Sequence, residues 1–135
     1  MKNVYEIKVR WGDTDPAAIV FYPNFYRWMD EAAHEWFEAA GFPITKLQKE
    51  KNIIVPLLEA FCQFKTPLVH EDRVSVHSTV TEVRSKTFKI EHQFFKGDKL
   101  AAEGYERRAW TSTAGGGPTA VPIPDDMREK MQAPM

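Results

Sequence analysis

What this sequence lacks narrows its class before any motif is considered. It has a single cysteine, Cys62, so no disulfide can form within the chain, and this suits a reducing compartment. Its longest apolar run, residues 53–58, is far too short to cross a bilayer. The N-terminal segment has no apolar stretch of the kind found in secretory signals. We therefore expect a cytoplasmic protein that has no membrane partner.

The chain also lacks an excess of charge of either sign. Its 18 basic and 19 acidic residues leave a net charge of −1, so no nucleic-acid partner is expected. The segment His34-Glu35-Trp36-Phe37-Glu38 has a glutamate where a zinc-binding helix has its second histidine, and no metal site is predicted. With 135 residues, 43% of them hydrophobic, the chain suits one globular domain spanning residues 1–135.

One segment repeats with the period of a helix. Its apolar residues recur three or four positions apart, and Gly41 and Pro43 then stop the helix. The start at Tyr22, Pro23 or Asn24 is not fixed by the pattern. The wide aromatic stripe predicts a helix packed deep against a sheet, and its members are Phe25, Trp28, Met29, Ala32, Ala33, Trp36, Phe37 and Ala40.

The remaining segments predict an antiparallel sheet. Alternating or apolar patterns indicate strands, and a Lys-Gly-Asp-Lys turn at 96–99 joins the last two as a hairpin. The predicted strands are 4–10, 54–67, 73–83, 88–95 and 100–111, with short helices at 44–52 and 123–131 and a glycine-rich loop at 115–118. The fold class is α+β, an antiparallel sheet wrapped around one long helix. A sheet covered by one helix leaves edges and a face open, which favours a dimer.

Residues 12–30 carry the candidate chemistry, reading G-D-T-D-P-A-A-I-V-F-Y-P-N-F-Y-R-W-M-D. Two carboxylates, Asp13 and Asp15, precede the apolar run 19–22, and prolines stiffen the segment. Loops are usually polar, so this combination predicts a carboxylate lowered into an apolar pocket. Asp13 is expected to hold the loop by hydrogen bonds to the backbone. Asp15, before a proline, is also an ordinary turn or cap residue.

This stretch resembles the 4-hydroxybenzoyl-CoA thioesterase family of hot-dog-fold acyl-CoA thioesterases. The resemblance rests on D-x-D-P-A-x-I-V-x-Y-P-N followed by Arg27-Trp28 and Asp30, and it extends to Val55-Pro56, to the turn at 82–88 and to Ile123-Pro124. One departure is Ala18, where the family often has glycine, and this affects the backbone freedom of the loop.

The resemblance implies a hot-dog fold with active sites at a dimer interface, often in a tetramer. By position in the motif, Asp15 matches the catalytic carboxylate, and Tyr22 matches the residue whose backbone N–H points at the thioester carbonyl. Asp30 falls where the family places a polar residue near the acyl group. No cofactor is implied, since coenzyme A is part of the substrate. The turn that contacts the CoA phosphates matches Arg84, Ser85 and Lys86.

The implied chemistry is physically reasonable. A helix N-terminus presents unpaired N–H groups that can polarise a carbonyl, while Asp15 can attack it directly or activate a water. The sequence does not choose between these two roles. Arg84 and Lys86 supply a guanidinium fork and a point charge for phosphate. An aromatic acyl group is favoured, with a short aliphatic one as the rival.

Other interpretations remain open at this stage. The chain can be a non-catalytic acyl-CoA-binding module, or a hot-dog hydratase or dehydratase that pairs an acidic residue with a histidine. His34 lies about three turns into the helix, too far from its start for the latter role. Some of these residues also have purely structural explanations. The Tyr22 ring can belong to the core, Arg84 and Lys86 can form a solvated turn, and Cys62 can be an inert buried thiol.

Overall fold

The computed structural model describes residues 1–134, which form eight strands and three helices. The strands are β1 (Lys2–Lys8), β2 (Ile53–Ile54), β3 (Leu57–Phe64), β4 (Arg73–Val83), β5 (Thr87–Lys96), β6 (Lys99–Ala109), β7 (Thr111–Ser112) and β8 (Thr119–Ala120). The helices are α1 (Pro23–Ala39), α2 (Ile44–Lys51) and α3 (Asp125–Gln132). None of these three helices is long and apolar enough to cross a membrane.

Five of the strands form one antiparallel sheet in the order β1-β4-β5-β6-β3. The hairpins β4-β5 and β5-β6 join neighbours in sequence, and β4 has the limits that its alternating pattern predicts. The edges of the sheet are β1 and β3. The short strands β2, β7 and β8 form a second, three-stranded sheet.

The apolar stripe of α1 is buried against the large sheet, as predicted. Trp28 and Met29 belong to the same buried cluster as Val76 of β4, and Trp36 belongs to the same buried cluster as Ile90 of β5. The helix begins at Pro23, whose missing N–H costs nothing at a first helical position. The α+β class is therefore confirmed.

The structure differs from the sequence prediction in several limits. β1 spans Lys2–Lys8 rather than 4–10, because Arg10 turns away to precede a 3-10 turn at Trp11–Asp13. The apolar run 54–67 is divided at Pro56, which has no N–H for a ladder. α1 is also not the only helix on the core, since Leu47 of α2 and Met127 of α3 are buried beside its C-terminal end. The strand β8 was not predicted.

A glycine sets how closely α1 approaches the sheet. Gly104 of β6 lies between Cys62 and His92 of the neighbouring strands. A Cβ added at this position would collide with the Phe61 carbonyl oxygen, would lie 2.9 Å from Cys62 Cα and would lie 3.1 Å from Met29 Sδ of α1. The absence of a side chain here allows close contact between helix and sheet.

Substituting Gly104 tests this packing. We expect Gly104→Ala to lower the free energy of unfolding by about 3 kcal/mol, because backbone atoms of β3 must move to admit the methyl group. Urea denaturation followed by circular dichroism measures the effect. Gly115→Ala is the matched control, since no atom lies within 4 Å of its added Cβ. Equal stability of the two variants would contradict the close packing.

Candidate active site

The loop between β1 and α1 folds back on itself. The Phe21 amide donates to the Asp13 carbonyl over 2.8 Å, and the Asp15 amide donates to the Ile19 carbonyl over 2.9 Å. The Val20 amide donates to the Leu68 carbonyl over 2.9 Å and ties the loop to the segment after β3. These bonds fix the path of the chain into the first turn of α1.

Asp13 organises this loop, as predicted. One carboxylate oxygen accepts from the Arg10 amide at 2.8 Å. The other accepts from the guanidinium of Arg27 on α1 at 2.9 Å, so the side chain links the loop to the helix. The Asp13 carbonyl also accepts from the Asn24 side chain at 2.9 Å.

Asp15 lies at the turn of the loop and is partly buried. Its Oδ1 accepts from the Ala17 amide at 2.8 Å. Within residues 1–134 its Oδ2 has no hydrogen-bond partner and is available to a substrate or a water. Ala18 closes the turn with a φ of 64°, in the left-handed region that favours glycine. The family often has glycine at this position, and Ala18 adopts the backbone conformation that glycine favours.

The predicted apolar pocket around the carboxylate does not form within one chain. Ile19, Phe21 and Tyr22 are exposed instead, the last with 60% of its surface accessible. The alternative prediction, that the Tyr22 ring belongs to the core, is therefore wrong. The loop lies at the protein surface, so its apolar side chains have no layer of the same chain above them. An exposed apolar cluster of this kind is typical of a surface that another molecule covers.

The Tyr22 backbone presents a free donor at the start of α1. Its N–H has no acceptor within the described residues, whereas the Asn24 amide donates to the Phe21 carbonyl at 2.9 Å. Pro23 has no N–H. The positive end of the helix dipole adds to this unpaired amide. The first turn of α1 therefore offers an oxygen-binding position at Tyr22.

An apolar pocket of about 300 Å³ adjoins Tyr22. The rings of Tyr22, Phe25 and Phe64 form one wall, with Phe25 and Phe64 in edge-to-face contact at 5.0 Å. Asp15 does not line this pocket. The remaining lining residues are Ile19, Val20, Lys65, Thr66, Pro67 and Leu68.

Asp30 lies two turns further along α1 and ends a chain of polar groups. Its Oδ1 accepts from Arg108 Nη2 at 2.8 Å. The same nitrogen donates to Glu106 Oε2 at 2.8 Å, and His92 Nε2 donates to Glu106 Oε1 at 2.9 Å. His92 Nδ1 lies 2.7 Å from Ser78 Oγ. All of these groups except Asp30 are buried between α1 and the sheet.

The charges within this chain of groups stabilise one another. Burial alone would raise the pKa of the Glu106 carboxyl, but the His92 hydrogen bond and the Arg108 charge together hold this pKa below its usual value. Burial opposes the charge of Arg108 as well, and Glu106 and Asp30 nevertheless raise the pKa of its guanidinium. The sequence reasoning missed this network. Its only signal was polar residues at inward positions of otherwise apolar strands.

The predicted phosphate-binding turn lies between β4 and β5, and its side chains are exposed. Arg84 contacts Glu82 at 2.7 Å, so part of its charge is already compensated. The C-terminal segment fixes the turn: the Ile123 amide donates to the Ser85 carbonyl at 2.9 Å, and Arg128 donates to the Arg84 carbonyl at 3.0 Å. This turn belongs to the half of the core around the C-terminal end of α1, far from Tyr22 in one chain.

A helix N-terminus with a free amide, beside an apolar pocket, is an arrangement that can bind the carbonyl oxygen of an acyl group. Residues 9–131 match the model of the thioesterase-like superfamily. The protein belongs to this family of thioester hydrolases and has its hot-dog fold.

Individual relatives agree with this assignment. The structure of a gentisyl-coenzyme A thioesterase is 42% identical and superposes with a TM-score of 0.83, covering 96% of this chain and 98% of the other. The 4-hydroxybenzoyl-CoA thioesterase of Pseudomonas sp. (strain CBS-3) is 28% identical over 129 residues, covering 90% of this chain and 92% of the relative.

A solved complex provides a third comparison. It is a 4-hydroxybenzoyl-CoA thioesterase in which an aspartate is replaced by asparagine, complexed with 4-hydroxybenzoyl-CoA. That protein is 25% identical to this one, with a TM-score of 0.89 and coverage of 96% of this chain and 98% of the other.

Proposed function

We propose that this protein hydrolyses an aromatic acyl-CoA, using the Asp15 carboxylate and the Tyr22 amide. Water supplies the oxygen of the new carboxylic acid, the carbon–sulfur bond breaks, and coenzyme A leaves as the thiol. The observation that carries the proposal is the unpaired N–H of Tyr22 at the start of α1, beside an apolar pocket of about 300 Å³.

The Tyr22 amide stabilises the charge that develops on the thioester oxygen. The oxygen becomes more negative when a nucleophile attacks the carbonyl carbon, so a fixed donor binds the transition state better than the substrate. The bonds of the loop 13–21 hold this donor in place before substrate arrives. One such donor contributes about 10²–10³ in rate.

Asp15 supplies the nucleophile or the base. Its free Oδ2 can attack the carbonyl carbon to give an anhydride that water then hydrolyses, or it can take a proton from an attacking water. Thiolate is a good leaving group, so neither route needs a strong general acid. The complex of a relative whose aspartate is changed to asparagine, with its 4-hydroxybenzoyl-CoA intact, supports an essential carboxylate in this family.

We propose a hydroxylated aromatic acyl group as the substrate class. Two of the relatives are named for gentisyl-CoA and 4-hydroxybenzoyl-CoA, both of which carry hydroxyls on an aromatic ring. The pocket beside Tyr22 is lined by aromatic and aliphatic side chains that suit a ring. Asp30 is not among the residues that line this pocket; in this proposal its free Oδ2 accepts a hydrogen bond from a ring hydroxyl that reaches beyond the pocket. A short aliphatic acyl group would leave this carboxylate without a ligand partner.

We further propose that the site combines residues of two chains in a homodimer. Tyr22 lies at one end of α1 and the turn at 84–86 lies near the other, and a helix of 17 residues is about 25 Å long. If two chains pair antiparallel along β3, the turn of one approaches the helix start of the other. Arg84, Ser85 and Lys86 of one chain then bind the CoA phosphates of a thioester held at Tyr22 of its partner.

The edge strand β3 supports this assembly. It pairs with β6 on one side only, and four of its apolar side chains have between 47% and 59% of their surface accessible: Leu57, Leu58, Phe61 and Phe64. An exposed apolar edge strand usually pairs with another strand. Two such dimers would give the homotetramer expected from the family.

A cytoplasmic location completes the proposal. The Cys62 thiol is buried and unpaired, and burial raises its pKa to about 11, so it is an inert thiol suited to a reducing compartment. Acyl-CoA esters and the enzyme would then share one compartment.

Replacing the carboxylate tests the role of Asp15. We expect Asp15→Asn to lower kcat for 4-hydroxybenzoyl-CoA by at least about 100-fold, because an amide neither attacks a thioester nor accepts a proton from water. Thiol release measured with DTNB reports the rate. Asp98→Asn, on the exposed β5-β6 turn, is the control and should retain wild-type activity. Activity of Asp15→Asn within a few fold of wild type would remove Asp15 from the mechanism.

Removing the donor itself tests the role of Tyr22. The φ of this residue is −54°, within the range that proline adopts, so Tyr22→Pro deletes the N–H and keeps the backbone angle. We expect kcat to fall by about 10²–10³. Tyr22→Ala removes the ring but keeps the amide, and we expect it to retain a kcat near that of wild type. If both variants lose kcat equally, the ring and not the amide is required.

Sedimentation velocity tests the assembly. We expect the wild-type protein to sediment as a dimer or tetramer, and Leu58→Lys to shift it toward the monomer because the edge strand then carries a charge. Thr119→Lys, exposed on β8, should leave the mass distribution unchanged. A monomeric wild-type protein would contradict the two-chain site.

A further inference from the structure

A row of buried polar groups leads from the sheet to the Asp30 carboxylate on α1. We propose that Arg108 is a positioning residue that fixes Asp30 to receive a hydroxyl of the acyl group, and that it thereby sets the preference for hydroxylated aromatic substrates. This inference rests on the thioesterase function proposed above.

Asp30 would be mobile without Arg108. About half of its side chain, 52%, is accessible to solvent, and surface carboxylates on a helix exchange among rotamers. The 2.8 Å contact from Arg108 Nη2 holds Oδ1, while Oδ2 has no partner within residues 1–134. The imidazole Nε2 of His34, one helical turn further on, lies 3.8 Å from the same Oδ1. The carboxylate is thus oriented with one acceptor free.

Arg108 itself is held from several directions. It is only 5% exposed, and Nη1 donates to the Val55 carbonyl at 2.9 Å while Nη2 also donates to Glu106 at 2.8 Å. Glu106 is in turn held by His92, and His92 lies against Ser78. Side chains from β4, β5 and β6 therefore fix the guanidinium relative to α1.

Stability does not explain this arrangement well. Burying an ion pair is costly, and apolar residues of similar volume often give equal or greater stability. Within the described chain Arg108 Nε is buried without a hydrogen-bond partner, which adds to the cost. Arg108 is therefore a buried charge that costs stability. Asp30 is its only exposed hydrogen-bond partner, which indicates that the function of Arg108 concerns that carboxylate.

The position of Asp30 suits an aromatic acyl group. Tyr22 and Asp30 are eight residues apart, about 12 Å along the helix, and side chains lean toward the N-terminus. A carbonyl bound at Tyr22 leaves room for one ring before a hydroxyl meets Asp30. Arg108 pairs with Leu57 of the exposed strand β3, so the Asp30–Arg108 pair lies next to the strand proposed as the dimer contact.

The experiment compares kcat/KM for 4-hydroxybenzoyl-CoA with kcat/KM for benzoyl-CoA, which lacks the hydroxyl. We expect Asp30→Asn to lower this ratio about tenfold, the effect of losing a hydrogen bond to a charged group. Arg108→Lys should lower the ratio similarly, because one ammonium cannot hold Val55, Glu106 and Asp30 together. The double variant should show no further loss, since both changes act on one carboxylate.

Arg107→Lys is the matched control. Arg107 is the neighbouring arginine on β6, pairs with Glu59 and Glu82 and lies on the other face of the strand, so its substitution should leave the ratio unchanged. If Arg108→Lys fails to fold, Glu106→Gln combined with Arg108→Gln removes both buried charges and carries the same expectation.

Two results distinguish a failure of the Arg108 role from a failure of the proposed thioesterase function. An active wild-type enzyme whose ratio is unchanged in folded Arg108 variants, or falls additively in the double variant, overturns the positioning role and leaves the thioesterase function intact. A wild-type enzyme that releases no thiol from either substrate overturns the proposed function, and this inference falls with it.

Discussion

The close contact between α1 and the large sheet is the constraint on which the other features depend. It requires a residue without a side chain at Gly104, because an added Cβ would collide with the backbone of β3 and lie 3.1 Å from Met29 Sδ of the helix. With the helix packed this closely on the sheet, Tyr22 and Phe25 at its start line the apolar pocket. Asp30, two turns further along, accepts a hydrogen bond from Arg108. This packing thus orients both the amide that we propose to bind the thioester oxygen and the carboxylate that we propose to contact the acyl group.

The loop from β1 to α1 depends on the same packing. Asp13 accepts hydrogen bonds from the Arg10 amide and from the Arg27 guanidinium on the helix, so its carboxylate joins the loop to α1. Asp15 lies at its turn and presents one free oxygen at a partly buried position. Ile19, Phe21 and Tyr22 are exposed, and the Tyr22 ring lies against Phe64 of the edge strand β3, which we propose as the dimer contact. The proposed catalytic residues and the proposed dimer contact therefore lie on one surface.

The sequence predicts the elements well where one periodic pattern dominates. The limits of β4 agree residue for residue, and the aromatic stripe of α1 is buried as expected. The loop-holding role of Asp13 also follows from its place in a turn. The network from Ser78 to Asp30 could not be predicted in this way, because its members are far apart in sequence and meet only when α1 packs on the sheet. The exposure of Tyr22 was missed because an apolar residue looks the same in sequence whether its own chain or a partner covers it.

The central claim is that the Tyr22 amide at the start of α1 donates a hydrogen bond to the thioester carbonyl. Infrared spectroscopy tests this claim directly. Isotope-edited infrared spectroscopy can follow the labelled carbonyl of 4-hydroxybenzoyl-CoA bound to a catalytically inactive form of the enzyme. Polarisation by the amide and the helix dipole weakens the carbon–oxygen double bond, so the account predicts a stretching frequency below that of the free thioester in water. A bound carbonyl that absorbs at the frequency of the free substrate would contradict it.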